Sequence, residues 1–169
     1  MLADRWGVTD AEVTRRYPCD TLVPSPALAA WRGVSVAAPP DGVWPWVGQI
    51  RLAPYSYDWI DNLGRRSPRE LHGLPEPRVG EAFTAVAGRR TGTILAVDPG
   101  RALTGRIMGA VMSYVLVPAP GESIRLVLKV VTAGGPRPLL ALLSAGDLVM
   151  ARRQLLNLAR LAEGGYSAS

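Results

Sequence analysis

The residues best equipped for chemistry are crowded into one stretch, APYSYDWIDNLGRRSP, from Ala53 to Pro68. Tyr55, Tyr57 and Trp59 each combine a rigid apolar ring with a polar tip, and Asp58, Asp61, Asn62, Arg65 and Arg66 add donors and acceptors beside them. This mixture suits the wall of a pocket for an organic molecule: the rings clamp a flat or apolar body while Asp58, or a phenol such as Tyr57, moves a proton. A carboxylate desolvated in such a pocket has its pKa raised toward neutrality, whereas an adjacent arginine lowers it. An architectural role fits the same residues, with the aromatics as core and Asp58 or Asp61 tying the following loop through Arg65 or Arg66.

Other chemistries are poorly supplied. His72, in LHGLPEP, is the only histidine; no G-x-S-x-G elbow accompanies it, and it reads as an exposed loop residue. Cys19 is the only cysteine, so it forms no internal disulfide and reads as a small buried hydrophobe. One Cys and one His do not build a usual zinc site, and nothing in the pattern supports a carboxylate metal site, so no metal is expected. Phosphate loops of the G-x-x-x-x-G-K or G-x-G-x-x-G type are missing, so no cofactor is expected.

The chain has 169 residues, 48% of them hydrophobic, which is enough for one domain with a sizeable core and a cavity. Its net charge of +5 comes from basic residues of which all but Lys129 are arginine, a bias that fits a GC-rich genome. The arginines are dispersed, with no run longer than pairs such as Arg65-Arg66 and Arg152-Arg153, so nucleic-acid binding is not expected. The N-terminal MLADRWGVTDAEV lacks the architecture of a signal peptide, and no apolar stretch approaches the ~18 residues of a membrane helix, which predicts a cytoplasmic protein without membrane insertion.

The elements that must position the aromatic segment follow from periodicity. Thr9 to Arg16 predicts a short helix capped by Thr9 or Asp10 and ended by Pro18; Tyr17 to Pro26, with three prolines, predicts a connector. Trp31 to Ala38 predicts a strand. A helix capped by Asp41 follows, with Val43, Trp46, Val47 and Ile50 on one face and Pro45 in its first turn or so. Tyr55 to Leu63 predicts a second helix, capped by Gly64, on which Tyr55, Asp58, Trp59 and Asn62 share a face. Phe83 to Ala87, Thr93 to Val97, Leu103 to Met108, Val111 to Val117 and Ser123 to Thr132 predict an antiparallel meander. On its last strand Arg125, Val127, Lys129 and Val131 alternate with Ile124, Leu126, Leu128 and Val130. The alternation assigns the charged side to solvent, although Arg106, Arg125 and Lys129 could instead reach into a cavity and hold an anion. Leu139 to Leu143 predicts a helical turn. Asp147 to Glu163 predicts a long helix with Leu148, Ala151, Leu155, Leu158, Ala159 and Ala162 as its apolar stripe.

This α+β order resembles the START-like helix-grip superfamily (SRPBCC), which includes polyketide cyclases, lipid carriers and hormone receptors. WRGVSVAAPPDGVWPWVGQI is similar to that superfamily's opening, and YPCD, APYSYDWIDNLGRRSP and GDLVMARRQLLNLARLAE are similar to a largely actinobacterial branch of uncharacterised members. The resemblance implies a curved antiparallel sheet wrapped around the long C-terminal helix, with two short helices after the first strand and a cavity between sheet and helix. It implies one START-like domain over 1–163, with 1–30 as an extension packed on it and 164–169 as a flexible tail. Tyr55, Tyr57, Asp58, Trp59 and Asn62 would stand at the cavity mouth, and Met108, Met112, Tyr114 and Met150 would line it, in competition with simple packing. Three functions follow as expectations. The first is binding of a small hydrophobic or polyketide-like molecule; the second is a cofactor-independent natural-product cyclase, dehydratase or isomerase using Asp58 and Tyr57; the third is a protein-docking or stress-response module. A monomer or weak homodimer is expected.

Overall fold

The computed structural model describes residues 4–134 and 137–167, with side chains described through residue 134 and from 149 to 165. Its elements are β1 (Arg5–Trp6), α1 (Asp10–Thr14), α2 (Pro18–Leu22), β2 (Leu28–Val36), α3 (Pro40–Gln49), α4 (Asp58–Asp61), β3 (Thr84–Val86), β4 (Arg89–Thr91), β5 (Thr93–Asp98), β6 (Ala102–Ile107), β7 (Ala110–Ala119), β8 (Ser123–Thr132) and α5 (Arg137–Ser167). Six strands form a curved sheet in the order β1-β2-β8-β7-β6-β5, antiparallel throughout except where β1 lies parallel to β2. The β3–β4 hairpin stands apart as its own small sheet. The run from Phe83 to Ala87 therefore does not open the meander. Ala87 and Gly88 both have positive φ, and this left-handed pair folds β3 back onto Arg89–Thr91, a strand the sequence pattern conceals because two of its three residues are exposed arginines.

Alternation on β8 divides the molecule into two cores. Ile124, Leu126, Leu128 and Val130 point to the inner face and pack with Leu155, Leu158, Ala159 and Ala162 of α5 and with Val43, Trp46 and Val47 of α3. Val127 and Val131 point to the outer face and pack with Tyr17 and Cys19 of the N-terminal extension. Cys19 is fully buried, as expected of a small hydrophobe.

The charged side of β8 is covered rather than solvated. Glu12, in the capping box that Thr9 opens on α1, meets Arg125 through two bonds: Nε to Oε1 at 2.8 Å and a terminal nitrogen to Oε2 at 3.0 Å. Lys129 sits between the rings of Tyr17 and Trp31, 5.3 and 4.9 Å from their centroids, and donates to Asp20 Oδ1 at 2.5 Å. Pro18 does not merely end α1. It occupies the first position of α2, where a missing N–H does no harm, so the expected connector contains a helix.

Two further boundaries move. Residues 40–49 are helical with Pro39 rather than Asp41 at the N-cap, which places Pro45 in the second turn. The C-terminal helix starts at Arg137, absorbing the expected turn at Leu139 to Leu143, and continues through Gly164 and Gly165 to Ser167. The burial of Leu148 lies outside the described side chains, whereas Ala151, Leu155, Leu158, Ala159 and Ala162 are buried as the stripe predicts.

Candidate functional site

The aromatic segment is a knotted loop with one turn of helix in it. Tyr55 has a φ of 56°, a left-handed conformation, so the chain turns sharply there and α4 begins only at Asp58. Leu63 and Gly64 also have positive φ, and the Gly64 N–H bonds the Asp58 carbonyl at 2.7 Å, ending the helix at Asp61. The expected common face consequently does not exist. Tyr55 and Asn62 are buried, Asp58 is half-buried, and Trp59 is 75% exposed.

Most polar groups of the segment are consumed in holding it. The Tyr55 hydroxyl accepts from Gln49 Nε2 at 2.7 Å, and its ring stands edge-on to Trp46 at 6.4 Å. Burial raises the Tyr55 pKa, against the Gln49 hydrogen bond that lowers it. Asn62 bridges two loops, donating to the Arg65 carbonyl at 2.7 Å and accepting from the Ala87 N–H at 2.8 Å, while Arg65 reaches the Ala87 carbonyl at 3.0 Å. Asp58 ties the loop as its architectural reading predicts, but through Ser67 rather than an arginine: Oδ2 accepts the Ser67 N–H at 2.8 Å and Oδ1 the Ser67 hydroxyl at 2.5 Å.

Asp61, three residues on, is in the opposite situation. Its Oδ1 is buried with no hydrogen-bond partner, and burial, assisted by the nearby Asp58, pushes its pKa up to about 6. It is the carboxyl of this segment that can hold and release a proton near neutral pH.

The segment is bolted to α5 and, through it, to the sheet. Gln154 donates to the Pro54 carbonyl at 2.7 Å and accepts from the Tyr114 hydroxyl at 2.5 Å; Asn157 donates to the Tyr55 carbonyl at 2.9 Å. Tyr114 is buried on the inner face, 6.2 Å from Phe83, with Met112 half-buried two residues before it on the same face. Met150 is half-buried on α5. Met108 is not part of this space. It and Gly109 have positive φ and form the two-residue turn between β6 and β7, leaving the Met108 side chain 96% exposed.

Among the described residues, two grooves stand out on the surface. One, of about 330 Å³, runs between α3 and residues 71–77, and its polar walls are satisfied: Trp44 Nε1 donates to Glu76 at 2.7 Å, and Arg51 is held by Glu81 at 2.7 Å and the Pro75 carbonyl at 2.5 Å. The other, of about 360 Å³, lies along α5 and is lined by Trp6, Tyr57, Val149, Arg152, Arg153 and Leu156. Here Arg152 stacks over the Trp6 ring at 5.0 Å and Arg153 over the Tyr57 ring at 5.6 Å. Its size falls in the ligand-pocket range, roughly 300–1,000 Å³.

Among solved structures, the chain is similar to protein MLL2253 of Mesorhizobium loti, at 18% identity over 80% of this chain and 97% of that one, with a TM-score of 0.53. It is similar to the Polyketide_cyc-like protein Cgl2372 of Corynebacterium glutamicum, at 17% identity over 83% and 94% of the two chains, with a TM-score of 0.51. The chain has the polyketide cyclase-like, helix-grip fold. A protein of Rhodobacter sphaeroides agrees, at 18% identity, 83% and 93% coverage and a TM-score of 0.51. No protein-family model and no curated protein matches the sequence.

In this helix-grip fold, the inner face under the second half of α5 is packed with core, and the side chains of residues 137–148 lie outside the described ones. Sequence reasoning missed Trp6, Arg152 and Arg153 as a group because a two-residue strand leaves no periodic signal. It missed Gln154 and Asn157 because a polar residue at the rim of an apolar stripe reads as solvent-facing. Their partners are backbone carbonyls 100 or more residues away or, for Tyr114, a hydroxyl 40 residues away, which no local pattern reveals.

Proposed function

We propose that the protein binds a small, largely apolar molecule of the polyketide or similar natural-product type, seated against α5 with Tyr57 as an aromatic wall. The observation that carries this reading is the groove of about 360 Å³, whose lining combines two aromatic rings, Trp6 and Tyr57, with the aliphatic Val149 and Leu156. Purified protein incubated with a metabolite extract, followed by mass spectrometry of what stays bound, tests it: a compound retained by the wild type and lost in Leu156→Gln supports binding here, and retention unaffected by that change overturns the location.

A second reading, a cyclase, dehydratase or isomerase, is favoured by Asp61, a half-buried residue whose carboxyl pKa is pushed up to about 6 by desolvation. The same extract decides it. Consumption of a compound with release of an isomer, or of a product lighter by one water, that ceases in Asp61→Asn supports catalysis, and unchanged turnover in that variant removes Asp61 from the chemistry.

A further inference from the structure

We infer that the ligand of the α5 groove carries an oxyanion, a carboxylate or a phosphate, on its apolar body, and that Arg152 and Arg153 are the residues that recognise it. The inference rests on the proposal that the groove is a binding site and specifies what it selects.

Three cations elsewhere in the described structure, each at least half-buried, supply the contrast. Arg51 is paired with Glu81 at 2.7 Å, Arg125 with Glu12 at 2.8 Å and Lys129 with Asp20 at 2.5 Å. The two guanidinium groups of the groove have no such carboxylate among the described residues; their recorded contacts are the faces of Trp6 and Tyr57. Arg153 is only partly exposed, and its Nε is buried without a hydrogen-bond partner. Leaving a charged donor unsatisfied away from water is costly, and a ligand oxygen would remove that cost.

The geometry also suits the class. Residues 149, 152, 153 and 156 recur at spacings of three and four, so one strip of α5 presents two aliphatic and two cationic side chains together. A guanidinium held over an aromatic ring spends no N–H donor on it, so its donors stay available to grip a carboxylate or phosphate through two parallel bonds. The ring beneath holds the guanidinium in place, lowering the entropy lost when the anion docks. An apolar ligand without charge would gain the floor of the groove but leave these donors unused.

The test uses the full chain and three probes sharing one ring system: 2-naphthoate, 2-naphthyl phosphate and the neutral 2-naphthalenemethanol, titrated calorimetrically and mapped by amide chemical shifts. The expected result is binding of at least one anion some tenfold or more tighter than the alcohol. Arg152→Gln and Arg153→Gln should each weaken the anion about three- to tenfold, and the double variant should bind anion and alcohol equally. Preference for the carboxylate or for the phosphate distinguishes an organic acid from a phosphate ester. Leu156→Gln should weaken all three probes. Equal affinity for anion and alcohol in the wild type, or an anion preference that survives in the double variant, overturns this inference while leaving the groove a binding site. Failure of all three probes to bind, or shifts mapping away from Trp6 and Tyr57, overturns both proposals. Thermal unfolding of each variant within a few degrees of wild type confirms that the changes report on binding.

Discussion

The Tyr114 hydroxyl on the inner face of β7 donates to Gln154 Oε1 on α5 at 2.5 Å, and the same amide donates to the carbonyl of Pro54 at 2.7 Å. One side chain thus joins sheet, long helix and aromatic segment. Removing the hydroxyl in Tyr114→Phe leaves a shielded amide oxygen without that donor, which costs about 1–2 kcal/mol. Gln154→Leu costs more, because the Pro54 carbonyl is orphaned too. The double variant should be less destabilised than the sum of the singles, with coupling of roughly 1 kcal/mol in urea unfolding. Strict additivity would show that the bond contributes nothing to holding the segment.

Asp61 should make stability depend on pH in a direction opposite to most carboxylates. Its pKa rises from 3.8 to about 6 on folding, so the folded state binds the proton more tightly and stability falls as pH climbs from about 4 to about 6. Above that range the ionised group is a standing cost. Asp61→Asn should therefore be more stable than wild type at pH 7.5, by about 1–2 kcal/mol once partial solvent screening is allowed for. The gain should vanish at pH 3.5. Denaturation midpoints at the two pH values decide it, and a gain of equal size at both would exclude desolvation of the charge as the cause.

What the sequence disclosed and what it hid divide along the reach of the interactions. The amphipathic stripe from Ala151 to Ala162 and the alternation from Ile124 to Val131 were legible because burial imposes a period on one element at a time. The α+β order of elements, the capping of α1 and the buried state of Cys19 followed equally. The two-residue turn at Met108-Gly109 and the left-handed Tyr55 were not legible, since non-glycine residues carry no local mark of positive φ. Met108 thus read as cavity lining and Tyr55 as helix. The charge on β8 read as solvent-facing because its partners, Glu12 and Asp20, lie over 100 residues earlier.

The N-terminal extension should come loose in acid. Hydrogen bonds from Arg125 hold the Glu12 carboxyl below its ordinary 4.5, against the opposing effect of burial. A lowered folded value contributes stability that is present above about pH 4.5 and lost as pH falls through the folded value. Glu12→Gln abolishes it at every pH and leaves the half-buried Arg125 without its carboxylate, a loss of about 3 kcal/mol at pH 7. Amide exchange should then speed up in α1 and β1, while β7 and α5 keep their protection. Uniform acceleration across the molecule would mean that the extension and the main sheet unfold as one unit.

Asp58 and Ser67 offer the sharpest way to separate architecture from chemistry in the aromatic segment. Both Asp58 oxygens accept from Ser67, and the Ser67 hydroxyl oxygen in turn accepts the Tyr55 N–H at 3.2 Å, closing residues 55–67 into a lap. Arg65 and Arg66 lie exposed inside it. If the carboxylate serves to close the lap, Ser67→Ala and Asp58→Ala should each destabilise by about 1–2 kcal/mol, and their combination should cost little more than the worse of the two. Both should raise the rate of tryptic cleavage after Arg65 and Arg66 several-fold, because local opening exposes those bonds. Should a turnover be found, the same pair assigns the role: an acid–base Asp58 predicts that Asp58→Ala is inactive while Ser67→Ala, which frees only Oδ1 of the carboxylate, stays active. A structural Asp58 predicts equal losses in both. Unchanged tryptic rates in the two variants would show that the lap is held elsewhere, with Asn62 and its bonds to Arg65 and Ala87 the next residue to remove.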